Sequence, residues 1–205
     1  MEKGSTREQI LAVALDLFSV NGFEATSTAQ LAEAVGLRKA SLYSHFENKQ
    51  AILDALVEAL TAEYEQHSLF ARADWNDPDF TRPLKNRPVE EIMAGIRGQI
   101  AYIIHDPRIS KARKMLTIEQ FRNEELKNIH AKRSYEDILR YHEGMVRFLI
   151  GEGILKDGDV SIMAAQLAWP ISILVYLCDR EPEREAEALA FADRHVRQFF
   201  TIYGT

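Results

Sequence analysis

Arg38, Lys39, Ser41, Tyr43, Ser44, His45 and Lys49 crowd into one short stretch, GLRKASLYSHFENK, from Gly36 to Lys49, with only Glu47 opposing their charge. Guanidinium and ammonium groups donate to phosphate oxygens and to guanine edges, while hydroxyl and imidazole groups donate to phosphate. Ala40 is small enough to let a helix approach a groove closely. The rest of the chain is acidic, with a formal net charge of -6 over 205 residues. Acidity of that size argues against nucleic acid coating the whole surface, but screening confines distant carboxylates to about 8–10 Å. A local basic contact therefore survives. The plainer alternative is a solvated helix face, which explains most isolated charge clusters. The residues around the cluster must decide.

Apolar residues recur at helical spacing from Thr6 to Tyr203, and alternating strand patterns are absent. A T-x-x-Q capping box at Thr6 and Gln9 predicts the first helix, with Ile10, Leu11, Ala14, Leu17 and Phe18 inward and Asn21-Gly22 as its stop. Ser27 and Gln30 form a second capping box, opening a short helix that Gly36 closes in a left-handed conformation. A further short helix runs through Leu42 and Phe46, one turn apart on its inner face. Asn48 then caps a long helix with Ile52, Leu53, Leu56, Val57 and Leu60 inward. Two short helices joined by a tight glycine turn and stacked on a preceding helix make a helix-turn-helix. Its second helix would enter the DNA major groove. Leu42 and Phe46 anchor that helix, which leaves Arg38, Lys39, Ala40, Ser41, Tyr43, Ser44 and His45 outside. Lys49 and Thr28 flank it at the starts of neighbouring helices, where free backbone amides favour anions.

The segment GFEATSTAQLAEAVGLRKASLYSHFENKQAIL, Gly22 to Leu53, resembles the DNA-binding region of the TetR family of bacterial repressors. The residues that carry the likeness are Gly22-Phe23, Ala32, Gly36, Leu42-Tyr43-Ser44-His45-Phe46 and Lys49. The later stretches KMLTIEQFRNEELKNI and LCDREPEREAEALAFADRHVRQFFTIYG are also similar to family members. The resemblance implies that Tyr43, His45 and Lys49 hold phosphates, and that Lys39, Ala40 and Ser44 face bases. Two positions depart from the pattern. Arg38 stands where a capping Ser or Thr is frequent, so the cap is weaker and a cation is added. Thr28 stands where an apolar residue is common.

Beyond the cluster, an all-α chain of two domains is expected: residues 1–48 as the helix-turn-helix DNA-binding domain and 49–205 as a helical ligand-binding and dimerisation domain. Pro78, Pro83 and Pro88 mark 71–88 as a loop, and its length suggests a functional connection. Helices resume at 89–105, 109–122, 124–150, 160–178 and 182–203, with the glycine-rich link GEGILKDGD after the third. IMAAQLAWPISILVYLC is apolar nearly all round, as in a helix covered on both sides. Leu189, Val196, Phe199, Phe200 and Tyr203 fall close to heptad spacing on the last helix. Both features suit a homodimer through the last two helices, as the resemblance also implies; the alternative is that they complete a monomer core. The partners expected are a palindromic double-stranded DNA operator, a second copy and an unidentified small-molecule effector. Candidate effector contacts are Tyr102, Met115, Phe121, Tyr135, His142 and Trp169, with His142 first because it is the polar member of an apolar face. Pro170 is expected to bend its helix.

Other classes fit less well. YHEGM has Val146 where the second histidine of a zinc-protease motif is required, and no Glu-x-x-His occurs. There is no P-loop, G-x-S-x-G or cysteine pair, so no enzyme, metal or cofactor is expected. Lone Cys178 fits a reducing compartment. The start MEKGSTREQI lacks an apolar signal segment, and the run Ile162 to Cys178 is shorter than the roughly 20 residues of a membrane span. A cytoplasmic regulator, with no membrane partner, is the expectation.

Overall fold

Capping and apolar spacing set the helix order along the chain. The computed structural model describes residues 5–205; residues 1–4, part of the stretch read for a signal segment, lie outside them. Among the described residues the α-helices are α1 (Thr6–Asn21), α2 (Thr28–Val35), α3 (Lys39–Tyr43), α4 (Lys49–His67), α5 (Leu69–Arg72), α6 (Pro78–Thr81), α7 (Val89–His105), α8 (Pro107–Glu119), α9 (Glu124–Ala131), α10 (Asp137–Gly151), α11 (Val160–Arg180) and α12 (Glu185–Tyr203). The cap of α1 lies one residue earlier than expected. Ser5 Oγ accepts the Glu8 amide at 3.3 Å, and Glu8 Oε2 accepts the Ser5 amide at 2.8 Å. Thr6 is thus inside the helix, and the T-x-x-Q box is not the one used.

Two compact units result. The first takes in the chain through Ser68 together with Lys111–His130. Its core joins Ile10, Ala14, Leu15 and Phe18 of α1 to Leu31, Leu42, Phe46, Ile52, Leu53 and Leu56, and closes with Met115, Leu116 and Leu126 from the later segment. A three-helix unit alone buries a small core, and each large aliphatic side chain removed from water contributes about 1.5–3 kcal/mol. Helices α8 and α9 enlarge it.

The second unit spans Leu69–Ser110 and Ala131–Thr205. Met145, Val146 and Leu149 of α10 pack with Met163, Leu167, Ile171 and Val175 of α11 and with Val196, Phe199 and Phe200 of α12. Leu189 and Tyr203 pack against the same cluster. The stripe assigned from heptad spacing to a partner therefore fills its own unit. Residues 71–88 are not a plain loop either. They hold α6, capped by Asp77, and a 3₁₀ turn at Arg82–Leu84. The single helix expected over 124–150 is divided: a π-helical turn, Lys132–Glu136, separates α9 from α10. Helix α11 continues through Pro170 for 21 residues. By length and composition it is long and apolar enough to cross a membrane, which the shorter apolar run did not suggest. In this fold eight of its residues, from Met163 to Cys178, are buried in the unit.

Candidate nucleic-acid interface

The basic cluster sits on α3, a helix of five residues, too short to persist without tertiary support. The preceding helix is fixed first. Ser27 Oγ accepts the Gln30 amide at 3.2 Å and Gln30 Oε1 accepts the Ser27 amide at 2.8 Å, so the second capping box forms as read. Gly36 ends α2 at φ +77°, and the Leu37 amide donates back to Ala32 O at 2.8 Å. Leu42 and Phe46 are buried and hold α3 from within. The regular helix stops at Tyr43, short of Phe46, yet the Phe46 amide still donates to Leu42 O at 3.1 Å. Arg38 takes the N-cap position with no side-chain cap bond.

Arg38, Lys39, Ala40, Tyr43, Ser44 and His45 are exposed, and Thr28, Ser41 and Lys49 are half-buried. Among the described residues neither Arg38 nor Lys39 forms an ion pair, so their charge is offered outward. Lys39 Nζ lies 6.0 Å from the centre of the Tyr43 ring. The Tyr43 hydroxyl is 3.4 Å from Thr28 Oγ1, which ties the start of α2 to the end of α3. Ser44 donates its hydroxyl to Ser41 O at 2.7 Å.

Lys49 faces elsewhere. Its ammonium donates to Phe23 O at 2.8 Å and Thr26 O at 3.1 Å, and lies 4.1 Å over the Phe23 ring. A cation at the first turn of α4 meets the unfavourable end of the helix dipole; these carbonyls and the ring offset that. On the other side of the same turn, Glu119 Oε1 accepts the Phe23 amide at 2.8 Å. Glu119 is only 2% exposed. Gly22 sits at φ +80°, where a side chain is strained, and a Cβ there would stand 2.9 Å from Glu119 Oε1 and force it to shift. The turn from Gly22 to Thr26 is thus gripped by α8 and α4 together. Sequence reasoning missed Glu119, because nothing near position 119 in the chain signals a partner at position 23.

The six candidate effector residues are not brought together. Met115 belongs to the core of the first unit, and Phe121, in the same unit, is 90% exposed. Tyr102, Tyr135 and Trp169 belong to the second unit but lie at its surface. Periodicity marks a residue as inward or outward on its own helix and cannot say which core it enters. His142 alone is a buried polar group in an aromatic setting, between Phe70 and Tyr141. Its Nδ1 lies 2.7 Å from Ile138 O, a carbonyl that only accepts, so Nδ1 carries the proton and Nε2 is an acceptor. Burial pulls its pKa down to about 4, which keeps the ring neutral at pH 7. The other members of this aromatic setting, Trp75 above all, went unread because they lie in the proline-rich segment.

Residues 10–56 match the family described as bacterial regulatory proteins, tetR family. The tetracycline repressor protein class A from transposon 1721 of Escherichia coli is 46% identical over 65 residues, covering 32% of this chain and 30% of that protein. The chain thus aligns with less than a third of that curated relative. Two solved structures are similar over nearly the whole fold. A TetR-family regulator from Mesorhizobium loti is 20% identical, covers 98% of this chain and 97% of its own, and gives a TM-score of 0.62. SmeT, the repressor of a multidrug efflux pump in Stenotrophomonas maltophilia, is 22% identical, covers 98% and 92%, and gives 0.63. SmeT is also known in complex with triclosan. At these identities the likeness concerns fold.

Proposed function

We propose that the chain is a TetR-type regulator, a dimeric transcriptional repressor released from a palindromic operator by a small molecule; the match of residues 10–56 to the family's helix-turn-helix region supports this reading. One observation carries the reading: a basic helix, anchored by Leu42 and Phe46, that offers Arg38 and Lys39 to solvent without a charged partner among the described residues. Two such helices would enter successive major grooves about 34–36 Å apart. Lys39, Ala40 and Ser44 face bases in this reading. Arg38, Tyr43 and His45 meet phosphate, with Thr28 and Ser41 at the margin. Lys49 acts from behind, holding the Gly22–Thr26 turn so that α2 and α3 keep their angle.

The second copy docks on an apolar face. Ile162, Trp169 and Ile173 are exposed along one side of α11, and Phe191 and Ile202 along α12. An effector enters the second unit and lowers DNA affinity by its difference in binding free energy between the two states; that the structurally similar SmeT is known in complex with triclosan supports a small-molecule effector. No catalytic step is part of this function, and a regulator of this kind works in the cytoplasm.

Selection of bound sequences from random DNA tests the proposal. A two-fold symmetric site should emerge, with affinity falling steeply as salt rises. Lys39→Ala should change base preference at one position of each half-site. Recovery of no common sequence, with weak binding to every DNA, would remove the regulator reading.

A further inference from the structure

Trp75, Tyr141 and His142 form a chain of rings in the second unit. The Trp75 and Tyr141 centroids are 5.4 Å apart, and those of Tyr141 and His142 are 5.2 Å apart. Phe80 lies 5.1 Å and Phe148 5.7 Å from the Trp75 ring, and Phe70 lies 5.2 Å from that of Tyr141. The indole lies directly on the backbone of α10: a Cβ at Gly144 would fall 2.1 Å from its Cδ1. Position 144 therefore has to be glycine while the indole occupies this place.

Not every polar atom of this cluster is satisfied within the fold. Trp75 Nε1 is buried and has no acceptor among the described residues. Buried indole N–H groups ordinarily find an acceptor, and an orphaned donor costs about 1–3 kcal/mol. A phenylalanine would supply the same ring packing without that cost. His142, 8% exposed, uses Nδ1 within its own helix and leaves Nε2 as an acceptor. Burial pushes the pKa of the Tyr141 phenol up, so it stays protonated at pH 7. A buried donor without a partner among the described residues, Trp75 Nε1, and an imidazole acceptor on the same run of rings, His142 Nε2, are elements of a small-molecule site.

We propose that the Trp75–Tyr141–His142 cluster is the effector site, and that the effector is a flat aromatic molecule bearing a hydroxyl group, which accepts from Trp75 Nε1 and donates to His142 Nε2. The assignment rests on the regulator reading for its consequence but on the cluster alone for its chemistry. Phe70, Phe80 and Phe148 supply ring contacts that favour an aromatic over an aliphatic body. The neutral imidazole gives no charge attraction, so carboxylate and phosphate ligands are disfavoured. The 71–88 segment supplies the indole to this cluster.

Two probes separate the terms. 2-Naphthol has a hydroxyl that donates and accepts; 2-methoxynaphthalene keeps the ring and the acceptor but cannot donate. Calorimetric titration of the full chain should show 2-naphthol binding about tenfold more tightly, the expectation for one buried hydrogen bond. In His142→Phe the two probes should bind alike. Trp75→Phe should weaken both several-fold. The comparison of the two probes on the unaltered chain stands even if a variant fails to fold. Equal affinities on that chain, or no binding of either at about 1 mM, would overturn the site. Fluorescence anisotropy on selected operator DNA, with and without 2-naphthol, supplies the independent arm. Release of DNA supports the effector role. Binding of 2-naphthol without release overturns that role and keeps the site, whereas operator binding with no 2-naphthol binding keeps the regulator and removes the site.

Discussion

Arg38 holds the cap position of α3 and caps nothing. A serine there would accept an orphan amide of the first turn, a gain of about 0.5–2 kcal/mol, but would remove a cation from the face offered to DNA. Arg38→Ser should therefore raise the thermal midpoint while lowering the slope of log affinity against log salt by about 0.9. A variant that is stabilised with its salt slope intact would place Arg38 away from phosphate. His142 allows a second separation. Its pKa is about 4 in the folded chain against 6.5 in the unfolded one, so between these values the unfolded state binds more protons. Its contribution is complete above pH 6.5 and is lost as pH falls towards 4, by roughly 3 kcal/mol in all. In thermal melts across that range His142→Phe should lose less stability than the unaltered chain; an identical decline would mean that His142 is not the group that titrates. Both residues were visible in the sequence, Arg38 as a departure from a pattern and His142 as a polar residue on an apolar face. What surrounds His142 was not visible, because its ring neighbour Phe70 lies far along the chain.

Helices were legible where their causes are local. The Ser27 box, the left-handed Gly36, the Asn48 cap and the inward face of α4 all follow from residues within a turn of one another. The failures also have local causes. Ser5 outcompetes Thr6 because its Glu8 partner completes the box one residue earlier. The prolines at 78 and 83 start short helical turns, since Pro is compatible with a first turn. Contacts between distant elements left no trace in the spacing, and the clearest is α8 gripping the turn before α2. Glu119 reaches back 96 positions to the Phe23 amide. Glu119→Leu should orphan that amide and lose about 1–3 kcal/mol, while Glu119→Gln keeps an acceptor and should lose much less. DNA affinity measured at a temperature where both variants are folded tests whether the grip matters beyond stability. If it sets the angle of α2 and α3, Glu119→Leu binds operator more weakly and Glu119→Gln binds as the unaltered chain does. Equal loss of stability in both would show that charge, and not the acceptor, holds the turn.

At the scale of the whole molecule, the sequence indicated an apolar surplus in the last two helices but assigned it to the wrong residues. Heptad spacing selected Val196, Phe199 and Phe200, which fill their own unit. The period of a helix says which residues share a face, and not whether that face meets its own chain or another. Exposure supplies the missing information: Ile173 is 69% and Trp169 49% exposed on α11. A dimer formed there would desolvate Ile173, and a carboxylate at that position would be buried without a partner, at a cost of several kcal/mol. Ile173→Glu should leave the fold and its thermal unfolding nearly unchanged as a monomer but weaken self-association more than a hundredfold. Sedimentation velocity over a range of concentrations measures this directly. Val196→Glu, by contrast, should fail to fold, because that side chain is fully buried within the unit. A monomeric subunit can still place one basic helix in one groove, so Ile173→Glu should retain weak binding to a half-site and lose the preference for two half-sites in register. If the unaltered chain sediments as a monomer at every concentration, the exposed face of α11 has another occupant and the palindromic operator loses its basis.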